Sequence, residues 1–265
     1  MGSSIHRNNF DSVWLVPGAK KVIYSKFIHT PIREKSGVRG SIKSALKEAV
    51  VDHHKHLRVV AKLLKKHGFK KASGILSSQL PRSSNTRMGN FGEVVSSEHL
   101  RQRYGYAMPV FKLRYMDNFL MPMRGEDILC FELNQKARIV SICLGEAKTL
   151  GKYQTSAAVA AHDRLADAFN PFPVCLSLIA NVLYDRDENE LADQIEDIIG
   201  SLPSKAFPLK NWIFVVSGDE HQNPFDVVEK QSTVVKNLSC VDIYLPDLHD
   251  FVKEIFDSPL SRTTR

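Results

Sequence analysis

Two apolar runs joined by a short polar turn constrain this chain more than any other feature. Residues 127–133 and 138–148 flank the turn at 134–136, and each has the length and composition of a strand. An antiparallel register that sets Leu129 against Leu144 also sets Phe131 against Ile142 and Leu133 against Val140, so one face of the hairpin becomes entirely apolar. A slip of one residue destroys these matches. The same register brings Asp127 opposite Glu146, and strand alternation puts Glu146 and Lys148 on one face. Two acids and a lysine therefore gather at one end of an apolar hairpin.

Like charges on an apolar face are costly unless a cation neutralises them or one is protonated. Mg²⁺ or Mn²⁺ fits this need, because such ions take one or two carboxylates and complete their shell with water and phosphate. Lys148 would hold or deprotonate an attacking water and offset charge developing on the phosphate. A plain surface ion pair between Glu146 and Lys148 is the structural alternative, and it leaves Asp127 without a role.

The charge is divided along the chain. Residues 1–125 hold 23 Lys and Arg against 7 Asp and Glu, whereas residues 126–265 hold 13 against 22. Apolar residues from Ile42 to Leu64 recur at spacings of three and four and predict one long amphipathic helix over 41–67, with Ser41 as N-cap and Gly68 at C′. Its outer face carries Lys55, Arg58, Lys62, Lys65 and Lys66, which are the candidate nucleic-acid contacts, because clustered cations capture phosphate backbones. His53, His54 and His56 lie too unevenly on a helix to form a metal site, and His53 falls on the apolar stripe.

Elsewhere, residues 1–40 read as an irregular opening with short β-like runs, and 72–90 as a loop rich in Ser, Asn and Gly. Helix 91–104, a strand over 107–115, the hairpin strands, helix 154–169, an apolar segment at 174–183, an acidic helix over 188–202, strands 212–216 and 241–245, and a helix from 246 complete the reading. The expected fold class is α/β, a mixed central sheet flanked by helices. The four widely spaced cysteines form no CxxC pair and suit a reducing compartment, so a cytoplasmic protein is expected. No run is long and apolar enough for a membrane span, and the first residues do not read as a signal peptide.

GNFGE at 89–93, RGED at 124–127 and GEAK at 145–148, in this order, resemble the PD-(D/E)xK nuclease superfamily. The resemblance implies a restriction-endonuclease-like core of helix, three strands, helix and strand over 73–265, with residues 1–72 as an N-terminal extension. It implies Glu93, Asp127, Glu146 and the Ala147 carbonyl as metal ligands, Lys148 as catalytic lysine, and Gln154 as the glutamine that follows the lysine in RecB-like members. The tyrosine usual after that glutamine is absent, since position 158 is Ala. The implied activity is metal-dependent DNA cleavage leaving 5′-phosphate and 3′-hydroxyl ends. A narrower resemblance, to the HamA effector nucleases of Hachiman antiphage defence, implies a helicase subunit, HamB, as partner. The alternative is a catalytically silent nuclease-like subunit that binds nucleic acid or a helicase partner.

Overall fold

The computed structural model describes residues 9–18, 21–115, 126–167, 175–201 and 207–260. Its strands are β1 (Leu15–Pro17), β2 (Val22–Ile23), β3 (Phe27–Glu34), β4 (Ile128–Leu133), β5 (Ile139–Leu150), β6 (Leu209–Ser217) and β7 (Leu238–Tyr244). Among the described residues they form one seven-stranded mixed sheet in the order β1-β3-β7-β6-β5-β4, with β2 also on β3. The inner pairs β3–β7, β7–β6 and β6–β5 are parallel, while β5–β4 and β3–β1 are antiparallel. Parallel strands covered on both faces need apolar residues in succession, and Ile213, Phe214, Val215 and Val216 of β6 are all fully buried.

Helices α1 (Phe10–Trp14), α2 (Arg39–His54), α3 (Leu57–Ser78) and α4 (Ser84–Tyr104) precede β4. Helices α5 (Thr155–Asp167), α6 (Cys175–Tyr184) and α7 (Asn189–Ser201) lie between β5 and β6, α8 (Asp226–Glu229) follows β6, and α9 (Leu248–Asp257) follows β7. On one sheet face Phe91 and Val94 of α4 join Phe251 and Ile255 of α9 in a common core with Phe214. On the other, Ala158 and Ala161 of α5, Ile179 of α6 and Ile195 of α7 pack with Ile213 and Leu144. This is the mixed α/β sheet flanked by helices that the sequence predicts. The segment read as an N-terminal extension joins the same sheet through β3, which pairs along its length with β7.

Several elements differ from expectation. The helix over 41–67 is two helices, because Lys55 takes an extended conformation and the His56 ring accepts the Arg58 N–H to cap α3. Gly68 does adopt the left-handed φ of +70° expected of a helix end, but the chain then re-enters helix up to Ser78. Residues 84–90, read as loop, begin α4, whose first turn is capped by Ser83 accepting the Thr86 N–H. The strand over 107–115 is reduced to one bridge between Ala107 and Phe131, followed by a short 3-10 turn at Lys112–Tyr115. At the start of the chain, residues 10–14 are helical rather than β-like. Arg124, Gly125, Ala168, Phe169, Val174 and Leu202, which belong to the motifs and elements expected from the sequence, lie outside the described residues. Among the described residues no helix is long and apolar enough to cross a membrane, and the four cysteines are free and buried.

Candidate active site

The hairpin folds in the register its apolar pattern requires: Leu129 pairs with Leu144, Phe131 with Ile142 and Ile128 with Gly145. The match fails only at the far end, where a bulge after Glu132 pairs Leu133 with Ile139 instead of Val140. Near the carboxylates the ladder is regular, and Asp127, one residue before β4, is tied to it by its Oδ2, which accepts the Ala147 N–H at 3.1 Å. Gly145 sits where a Cβ would press against Ile128, 3.2 Å away, so the hairpin closes tightly beside the acids.

Glu146 is almost fully buried, 1% exposed. Lys148 Nζ donates to its Oε2 at 3.3 Å, and Arg164 Nε of α5 stands 3.9 Å from its Oε1. Across the sheet edge, Lys112 Nζ lies 4.0 Å from Asp127 Oδ1 and donates to the Glu126 carbonyl at 2.8 Å. The Glu126 side chain accepts from Cys175 Sγ at 2.6 Å. Glu93 reaches the group from α4. The helix comes so close to β5 at Gly92 that a Cβ there would stand 1.7 Å from Thr149 Oγ1, which gives the second glycine of GNFGE its reason. Glu93, Lys112, Asp127 and Cys175 line a small cavity of about 20 Å³ together with His53.

Electrostatics mark this group as under-compensated. Burial and the neighbouring Asp127 carboxyl, which also hydrogen-bonds to it, push Glu146 up to about 7, against opposing pulls from Lys148 and Arg164. Burial, Asp127 and Glu146 raise Glu93 well above the usual carboxylate range, with Lys112 opposing. Acids in this state share protons or hold a cation. Among the described residues no three His, Cys, Asp or Glu side chains form a metal-holding group. The donor set is narrower: Asp127 and Glu146 face each other across the ladder, with Glu93 coupled to both, and two carboxylates are what Mg²⁺ usually takes from a protein. The residues fit a divalent cation on that footing.

The remaining predicted residues are spread around the cluster. Ala147 is held through its N–H by Asp127. Gln154 is exposed at the start of α5, where its carbonyl accepts the Ala157 N–H. Arg58, Lys62, Lys65 and Lys66 are exposed on α3, and Lys55 is half-buried at the break between α2 and α3. His53, two residues before that break, lines the cavity, so the basic helix begins beside the acids. Lys112 and Arg164 are absent from the sequence-based site. Neither carries a local pattern, since both reach the acids only through tertiary packing.

The HamA family profile matches residues 9–258, which takes in the whole sheet and every residue of the acid–lysine group. Hachiman protein HamA of Bacillus cereus is 28% identical over 202 residues, covering 76% of this chain and 70% of that protein. With the match extending over nearly all of its length, the chain belongs to the HamA family.

Proposed function

We propose that this protein is a metal-dependent phosphodiesterase that cuts DNA, acting in antiphage defence as the Hachiman name of its relative suggests. The observation that carries the reading is the placement of Asp127 opposite Glu146 with Lys148 on the same face, 3.3 Å from the Glu146 carboxylate. A simple structural ion pair would not need Asp127 and Glu93 brought against a buried Glu146 at such electrostatic cost. The resemblance to PD-(D/E)xK nucleases assigns the same residues.

In this reading Asp127, Glu146 and the Ala147 carbonyl hold Mg²⁺ or Mn²⁺, with Glu93 alongside. The ion would supply Lewis acidity toward the phosphodiester and its 3′-oxygen. The Lys148 ammonium orients water for in-line attack on phosphorus; the bond to the 3′-oxygen breaks, the attacking water gives a proton to solvent, and the departing 3′-oxygen takes one from solvent, leaving a 5′-phosphate and a 3′-hydroxyl. Lys62, Lys65 and Lys66 hold the phosphate backbone outside the site. A nuclease with no base-reading motif must be restrained, and a helicase partner of the HamB kind fits that need.

The test is incubation of the purified protein with supercoiled plasmid, linear duplex and single strands, with and without Mg²⁺. Cleavage by the wild type and none by Glu146→Ala or Lys148→Ala is expected. Cleavage at the wild-type rate by either variant would overturn the site. The absence of a three-residue ligand group among the described residues favours one second reading, a silent subunit that binds DNA without cutting it; binding without cleavage in Mg²⁺ or Mn²⁺ would select it.

A further inference from the structure

Helix α4 covers one face of the sheet only as far as Tyr104, where Gly105 turns the chain away at a left-handed φ of +70°. Beyond it the first residues of β5, β6 and β7, with Ile28 and Thr30 of β3, floor a groove of about 670 Å³. The groove crosses four neighbouring strands, so three strand spacings make it roughly 14 Å long. It lies at the other end of β5 from the acids. Ser141 lines it, and Glu146 is five residues further on, roughly 17 Å along the strand.

One wall of the groove is aromatic. Tyr104 meets the Trp212 ring edge-on at 4.8 Å between centroids and stacks with Tyr106 at 5.8 Å. Tyr106 and Trp212 are both buried and fix the ring of Tyr104, which keeps 39% of its surface in water. The Trp212 indole N–H has no acceptor among the described residues. Cations flank the rings: Lys21 is exposed, and Lys210, 40% exposed, stands 5.5 Å over the Tyr106 ring. Glu132 is the one acid lining the groove among the described residues, and its 2.7 Å pair with Lys210 is exposed enough to cost little to open. Ile28 and Val140, also exposed, would suit many partners. A rigid ring held between lysines suits a nucleic-acid strand, whose bases stack on the ring while its phosphates meet the ammonium groups. Base edges also carry the acceptors that the Trp212 N–H lacks. In a duplex the faces of the bases are covered by their neighbours, so the fit is to a single strand.

We propose that this groove is a binding site for single-stranded nucleic acid, separate from the acid–lysine group, in which Tyr104 stacks on a base and Lys21 and Lys210 neutralise the phosphates beside it. The assignment does not depend on the phosphodiesterase reading, since it stands or falls by binding alone.

The experiment titrates the full chain with a labelled oligo-dT strand of about twelve nucleotides, a duplex of the same length and thymidine monophosphate, in a chelating buffer so that cleavage does not intrude. Binding is read by anisotropy and by tryptophan emission, to which Trp14 and Trp212 alone contribute. The strand should quench the wild type saturably, and the quenching should be lost in Trp212→Phe, where the remaining Trp14 is buried in the core. Tyr104→Leu, which keeps an apolar side chain without a ring face, should weaken the single strand about tenfold or more and the duplex less than about threefold. Ile28→Glu, at an exposed position that leaves the core intact, should weaken the single strand similarly by setting a carboxylate against the phosphates. Lys21 and Lys210 changed together to Gln should flatten the log K against log salt slope by up to about 0.7 for each phosphate no longer neutralised. Unchanged single-strand affinity in either Tyr104→Leu or Ile28→Glu, or an equal loss for single strand and duplex, would overturn the assignment and leave the groove's apolar edge to a protein partner. Thymidine monophosphate binding as tightly as the strand would overturn it in favour of a free nucleotide.

Discussion

Helix α4 carries two buried glutamates, Glu93 and Glu98, and their surroundings treat them in opposite ways. Glu98 accepts from His53 Nε2 at 2.9 Å, from Arg101 Nε at 3.1 Å and from Gln102 Nε2 at 2.6 Å. Burial alone would raise its pKa, but these partners hold it well below the usual carboxylate range. Glu93 is also buried, yet the acids Asp127 and Glu146 add to the rise, and among the described residues Lys112 opposes it. Burial by itself therefore decides nothing. The Glu98 end, with Asp11 held by His99 and Arg103 on the next turn, is a closed network that fastens α4 to α1 and α2. The Glu93 end keeps an unmet demand for positive charge, and that demand is what a cation-dependent site requires.

The sharpest way to break this contrast is through activity. Lys148→Ala or Glu146→Ala should lower the cleavage rate by about a thousandfold or more, roughly 4 kcal/mol, measured by plasmid nicking in Mg²⁺. The midpoint of urea unfolding should fall little, since Lys148 is partly exposed and removing the buried Glu146 carboxyl also relieves its repulsion with Asp127. Glu98→Ala should do the reverse to the fold: buried His53 and half-buried Arg101 are left without their carboxylate, and unfolding in urea should show a loss of about 3–5 kcal/mol.

A pH comparison sharpens the same point. Glu146 is held up near 7 against an ordinary 4.5, so between these values the folded chain keeps a proton that the unfolded chain has released. Its contribution to stability is fully present below pH 4.5 and is lost as pH rises through 7. In a chelating buffer, Glu146→Gln should therefore gain on the wild type as pH rises from 4.5 to about 8, by up to about 3 kcal/mol. A gap that stays constant with pH, in unfolding curves at each value, would mean that Glu146 is already compensated. The smallest expected effect lies away from both glutamates. Lys62, Lys65 and Lys66 changed together to Gln should flatten the salt dependence of DNA binding by at most about 0.9 for each phosphate no longer neutralised, with helix content unchanged.

How much of this is legible in the sequence follows from how local each signal is. The hairpin register can be read because both strands carry alternating large apolar residues, and it fails only where the bulge after Glu132 breaks the alternation. Gly68 announces its positive φ, but the break at Lys55 has no Gly or Pro to mark it; it is made by the extended Lys55 backbone and the His56 cap. β3 is obscured because His29 and Arg33 interrupt its apolar run, and His29 is accommodated by pairing with Asp242 on β7 and packing against the Phe225 ring. Residues 84–90 read as loop because Ser, Asn and Gly favour loops on their own, while Gly92 is needed for α4 to touch β5. Asp127, Glu146 and Lys148 can be found because they share one ladder. Lys112 and Arg164 escape notice because nothing in their own segments points to the acids.

The contrast between the two glutamates rests on the claim that the acids around Glu93 are held for a cation. The most direct test is calorimetric titration of Mn²⁺ into the wild type and into the double variant Asp127→Asn, Glu146→Gln, both at a pH of about 8, where Glu146 is ionised. A saturable binding heat in the wild type that disappears in the double variant is the predicted result. Equal Mn²⁺ affinity in the two proteins, or no binding to the wild type, would contradict it.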